Sequence, residues 1–170
     1  MRLTFASLLT ASCVAGILPS SVRAQETHEQ AVTAALDGLH AAASDADGDR
    51  YFALFAEEGV FLGTDATERW TVEQFKGYAL PLFEQGRGWT YTPTERHIYI
   101  TRDGQTAWFD ERLSNESLGD TRGTGVLVLR DGAWKVAQYN LTIPVPNELA
   151  RDLVTRIRQG AGQRTDETAP

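Results

Sequence analysis

Cysteine is almost missing from this 170-residue chain: Cys13 is the single one, and it lies inside an apolar run near the N-terminus. If that run is removed on processing, no disulfide scaffold, thiol nucleophile or cysteine-based metal site is left to consider. Histidine is scarce too. His28, His40 and His97 show no i, i+4 or comparable metal-ligand spacing, so the sequence offers no zinc motif. The run Asp45-Ala46-Asp47-Gly48-Asp49 has the oxygen ligands of a calcium loop, but Arg50 stands where the loop glycine is required and Ala56 where the closing glutamate belongs. Basic charge is in the minority, with 16 Lys and Arg against 23 Asp and Glu, a formal charge of −7. Such a surface repels phosphate backbones and anionic lipid, which argues against nucleic acid or a membrane surface as partner. No apolar run reaches the roughly 20 residues of a spanning helix.

Residues 1–24 read as an export leader. Arg2 is followed by an uncharged apolar stretch from Leu3 to Leu18, then Pro19, and Val22-Arg23-Ala24 supplies small residues at both positions that a signal peptidase reads. Cleavage after Ala24 removes two arginines and no acid, moving the formal charge from −7 to −9. The protein is expected to be exported, periplasmic or secreted, with no membrane segment once the leader is gone. The remainder, with 42% hydrophobic and 23% charged residues over the whole chain, is ordinary for one folded domain, taken as residues 25–159, with 160–170 as a flexible polar tail.

Apolar residues at Val32, Leu36, Leu39 and Ala43 recur at helical spacing and predict an amphipathic helix over Glu26–Ala43. A short apolar helix over Arg50–Ala56 and a strand at Val60-Phe61-Leu62 follow. Thr71 is positioned to cap a helix carrying Phe75, Ala79, Leu82 and Phe83, with Pro81 inside it. Four strands are then expected: Trp89–Thr101, Gln105–Asn115, Thr121–Arg130 and Ala133–Ile143. The turns between them contain Asp103-Gly104, Gly119-Asp120 and Asp131-Gly132, so the second half reads as an antiparallel meander. A final helix begins near Asn147, with Leu149, Leu153, Val154 and Ile157 on one stripe.

This order of helix, short helix, strand, helix and long curved sheet resembles the NTF2-like superfamily, in which helices close one face of the sheet to form a cone. The stretch YFALFAEEGVF (51–61) is similar to that family's passage from second helix to first strand. GTGVLVLRDGAWKVAQYNLTIPVP (123–146) is similar to its last hairpin, with Trp134-Lys135-Val136 closest to SnoaL-like domains of unassigned function. The resemblance implies an α+β cone with a curved antiparallel sheet, N-terminal helices over it and an extra C-terminal helix. It implies no single activity, since the fold hosts isomerases, dehydratases, cyclases and binding modules.

The resemblance also directs attention to particular residues. In the ketosteroid isomerase branch a carboxylate base stands just past the first strand; here Gly63 occupies that place and Asp65 is two positions on. Asp110 and Glu111 are adjacent in a strand, so only one of them can face the cone. Asp110, sharing a face with Trp108 and Arg112, is the candidate acid or base, with Tyr91, Tyr139 or His97 as partner. On the last strand strict alternation puts Trp134, Val136, Gln138, Asn140 and Thr142 on one face and Ala137, Tyr139, Leu141 and Ile143 on the other. SnoaL-like domains line their cavity with the tryptophan face, so Gln138 and Asn140 become expected ligand contacts and Tyr139, Leu141 and Ile143 an expected dimer surface. Trp70, Tyr91 and Trp108, with Trp89, are candidate cavity walls. The leading expectation is an exported homodimer holding a small, partly apolar molecule in its cone without a cofactor. A cofactor-independent lyase, cyclase or isomerase acting through Asp110, and a non-catalytic dimerisation module, are the alternatives.

Overall fold

A computed structural model describes the backbone of residues 20–167 and the side chains of residues 27–160. The expected leader lies outside these residues apart from the first turn of the first helix. Helix α1 (Ser20–Ser44) leads into α2 (Gly48–Ala53), strands β1 (Phe55–Leu62) and β2 (Arg69–Thr71), and α3 (Val72–Phe83). Strands β3 (Thr92–Ile100), β4 (Thr106–Asn115), β5 (Gly119–Arg130) and β6 (Ala133–Thr142) follow, and α4 (Asn147–Glu167) ends the chain. The six strands form one sheet in the order β2-β1-β6-β5-β4-β3. The meander from β3 to β6 is antiparallel throughout, whereas β1 lies parallel to β6.

Local chemistry accounts for the boundaries. The Asp47 carboxylate accepts the Arg50 backbone N–H at 3.0 Å and starts α2. Thr71 and Gln74 form a reciprocal capping box at α3, the Thr71 hydroxyl accepting from the Gln74 N–H and the Gln74 side chain accepting from the Thr71 N–H. Pro81 sits inside α3 without ending it. Between β5 and β6, Asp131 and Gly132 both take positive φ, 50° and 78°, the conformation of a two-residue hairpin whose twist matches the strands. Helix α4 continues to Glu167, past the point at Gly160 where a flexible tail was expected; each of the interior glycines Gly160 and Gly162 costs a helix about 1 kcal/mol, and no proline intervenes before Pro170. Leu149 and Ile157 on its apolar stripe are more than half exposed.

Helices α1, α2 and α3 cover one face of the sheet. Val32, Leu36, Leu39 and Ala43 of α1 are buried there against Phe109, Leu113, Leu127, Val136 and Tyr139. Two glycines of β5 make room beneath this layer. A Cβ on Gly123 would run into the Tyr139 hydroxyl and stand 2.9 Å from Glu111 Oε1, and one on Gly125 would strike the Gln138 carbonyl and the Phe109 ring. Close packing explains the Gly-Thr-Gly run at 123–125.

Strand β6 does not alternate strictly. Its register with β5 pairs Val126 with Gln138 and Leu127 with Val136, which leaves Ala137 as an extra residue, a β-bulge. Side-chain parity reverses across it. Trp134 and Val136 face the helices before the bulge, and Tyr139 and Leu141 face them after it. Gln138 and Asn140 are thereby turned to the opposite, outer face, level with Val126 and Thr124.

Candidate functional site

A cavity of about 260 Å³ lies between α1, α3 and the inner face of the sheet. One wall is a slab of nearly parallel rings. Phe61 and Phe75 stack at 4.1 Å, Phe61 and Tyr139 at 5.9 Å with 3° between planes, Phe75 and Trp70 at 5.7 Å, and Trp70 and Tyr78 at 5.0 Å. The five rings arrive from four elements: Phe61 from β1, Trp70 from β2, Phe75 and Tyr78 from α3, and Tyr139 from β6. Trp89 and Tyr91 complete the apolar lining, and Thr64 and Glu68 of the β1–β2 loop bring oxygen atoms to it.

Beneath the cavity lies a buried charge network centred on Glu111, whose side chain has no exposed surface. Its Oε1 atom is 2.8 Å from His40 Nε2 and accepts the Tyr139 hydroxyl at 2.9 Å. Its Oε2 accepts from Arg96 Nε at 2.8 Å, and Arg96 Nη2 approaches to the same distance as a charge contact without hydrogen-bond direction. Arg96 Nη1 donates to Asp37 at 2.8 Å and so ties β3 to α1. Burial pushes the Glu111 carboxyl up, but the hydrogen bond and charge of His40 together with the Arg96 guanidinium outweigh it and hold the group below the usual glutamate range. Burial raises the Tyr139 phenol well above its ordinary value, and the neighbouring Glu111 carboxylate raises it further, so Tyr139 remains a neutral donor. Burial raises Tyr51 as well.

Of the residues singled out in the sequence, Trp70, Trp89, Tyr91 and Tyr139 stand in the cavity lining, and the structure places four others elsewhere. Trp108, Asp110, Gln138 and Asn140 are on the outer face of the sheet. For β4 the choice between neighbouring acids falls on Glu111, which alternates inward with Ala107, Phe109 and Leu113. Asp110 points outward, with about half of its side chain exposed, 3.3 Å from His97 Nδ1. His97 therefore also misses the cavity. For β6 the bulge at Ala137 is the cause of the reversal, and the same bulge takes Tyr139 and Leu141 out of the expected dimer surface and into the core. Asp65 folds back on its own loop, its Oδ1 accepting from the Thr67 N–H and hydroxyl at 2.8 and 2.7 Å.

His40, Glu111 and Tyr139 were missed as a group. His40 is four residues after Leu36 and three before Ala43, hence on the apolar stripe of α1; Glu111 stands between Phe109 and Leu113 in the strand alternation. Both patterns place a polar group facing the core. Neither reveals that the two groups meet.

The SnoaL-like domain family matches residues 32–146 of this chain. The chain belongs to that family, and its sheet and helices have the NTF2-like architecture. A candidate scytalone dehydratase from Novosphingobium aromaticivorans aligns with TM-score 0.61 and 14% identity, over 73% of this chain and 89% of the other. An NTF2-like protein of unknown function from Pseudomonas putida aligns with TM-score 0.60 and 12% identity, over 73% and 91%. A candidate dehydratase of the NTF2-like family from Streptomyces avermitilis gives 0.57 and 14%, over 71% and 99%. At these identities the likeness is one of fold. No curated protein matches the chain significantly.

The tyrosine environments generate a sign for alkaline stability. An unfolded chain releases its phenolic protons near pH 10, while the native state retains those of Tyr51 and Tyr139, so the native state loses stability as pH rises through and above that value. Urea unfolding between about pH 9 and 11 should show a falling midpoint, with a shallower fall in Tyr139→Phe than in the wild type. Equal slopes would mean that Tyr139 is not held neutral by the network.

Proposed function

We propose that this protein is an exported SnoaL-like domain whose cavity holds a small, flat, partly apolar molecule. The observation that carries the reading is the slab of parallel rings from Tyr78 to Tyr139 along a cavity of about 260 Å³. Ligand sites are mostly apolar with a few placed polar groups, and this volume lies at the small end of the usual range of about 300–1,000 Å³, which suits one or two fused rings. Parallel walls favour a planar guest because offset stacking contributes about 0.5–1.5 kcal/mol per aromatic pair beyond area burial. His40, Tyr91, Thr64 and Glu68 supply the polar contacts.

Binding is tested by thermal shift and by quenching of tryptophan fluorescence against a library of one- and two-ring compounds. A planar hit should bind Trp70→Leu about three- to tenfold more weakly, the equivalent of one lost stacking pair. A screen without any saturable hit would end the small-molecule reading. Export is tested by the intact mass of protein recovered from outside the cytoplasm: the expected chain begins at Gln25, and a chain retaining residues 1–24 contradicts it.

A second copy of the chain is the proposed partner of the outer sheet face. There Tyr99 and Trp108, each about half exposed, stack at 5.5 Å beside Val126 and Gln138. The adjoining rows hold acids (Glu95, Asp110, Asp120) among bases (Arg112, Arg122), so a twofold contact can match opposite charges with itself. Sedimentation should show a dimer that Trp108→Glu converts to a folded monomer. A wild type that is monomeric at all concentrations rules the contact out.

A further inference from the structure

Resting on the small-molecule reading above, we propose that His40 is a proton-transfer residue of the cavity. It would take a proton through Nδ1 from a weakly acidic O–H, or from a C–H next to a carbonyl, on a flat bound molecule, with Glu111 as its positioning carboxylate. The geometry assigns the ring nitrogens their roles. An ionised carboxylate only accepts hydrogen bonds, so the 2.8 Å contact to Glu111 Oε1 requires His40 Nε2 to be the N–H donor. In the neutral imidazole the lone pair is then on Nδ1, which has no protein partner among the described residues. His40 contributes to the cavity lining, and about a tenth of its side chain is accessible.

Charged and polar groups from several elements surround this ring. The groups facing it are Glu111 from β4, the Tyr139 hydroxyl on the same Oε1 atom from β6, and Arg96 from β3 on Oε2, with Asp37 of α1 on the far side of Arg96. Tyr139, already donating to Glu111, competes with His40 for neither the ligand nor the proton.

The step balances without a co-reactant. The ligand O–H or C–H bond breaks, its electron pair stays on the ligand as a phenolate or enolate, and the proton forms an N–H bond at His40 Nδ1. Return of that proton to another atom of the ligand is an isomerisation.

The test uses coloured phenols, para-nitrophenol and a two-ring nitronaphthol, mixed with the full processed protein in buffer acidic enough that the free phenols are un-ionised. The expected result is the phenolate absorption band on binding, lost in His40→Gln while the un-ionised phenol still binds. Glu73→Gln, which removes an exposed carboxylate of α3 outside the lining, should keep the band. If His40→Gln does not fold, nitrogen NMR of the wild type takes its place, with His40 Nδ1 expected to become protonated as the phenol is titrated in. Binding without the band, or a band that survives in His40→Gln, overturns the proton transfer and leaves the binding reading standing. Failure of both phenols while other planar molecules bind also overturns it. Failure of every small molecule removes the cavity reading and this inference with it.

Discussion

The buried carboxylate of Glu111 is the constraint around which the rest of this molecule is arranged. An isolated carboxylate in such a position would be neutralised or would unfold the domain, because desolvation of a charge costs several kcal/mol even after relaxation. Here three elements converge to satisfy it: Arg96 from β3, His40 and, through Arg96, Asp37 from α1, and Tyr139 from β6. Removing one member of such a buried pair typically costs about 3–5 kcal/mol, so the network fixes how α1 lies across the sheet. The glycine at position 123 belongs to the same arrangement, since a side chain there would occupy the space of the Tyr139 hydroxyl.

The cavity follows from this placement. Fixing α1 by polar contacts at one end of the sheet leaves the aromatic residues of β1, β2 and α3 to close the other side, where they stack on one another instead of filling the centre. The ring of Tyr139 faces both ways: its plane continues the aromatic slab through Phe61, and its hydroxyl belongs to the charge network. The apolar lining and the charge network thus meet at one side chain and at His40, whose ring packs edge-on against it at 6.3 Å.

Much of the architecture was legible in the residues, because its signals are local. The capping box at Thr71 depends on residues three apart, the Asp131-Gly132 hairpin on two adjacent dihedrals, and the α1 stripe on a 3.6-residue period. The candidate site was less legible. Trp70 and Tyr91 were found as aromatic wall residues, but Asp110, Trp108, Gln138 and Asn140 were assigned to the wrong face. Adjacent acids in a strand give no sign of which one turns inward until the partners of each are known. Ala137 looks like any strand residue, yet the extra position it adds reverses every side chain beyond it.

The sequence alone therefore determined the type, order and chain direction of the meander from β3 to β6, but not the short strand β2, since short-range hydrogen bonding and hydrophobic periodicity act within a few residues. Only the tertiary structure decided the parallel pairing of β1 with β6, the bulge in β6, and the convergence of His40, Glu111 and Tyr139. The parallel pairing and the convergence depend on contacts between residues 28 to 99 positions apart, where the free energy of a buried charge and of close-packed rings, not local propensity, selects the arrangement.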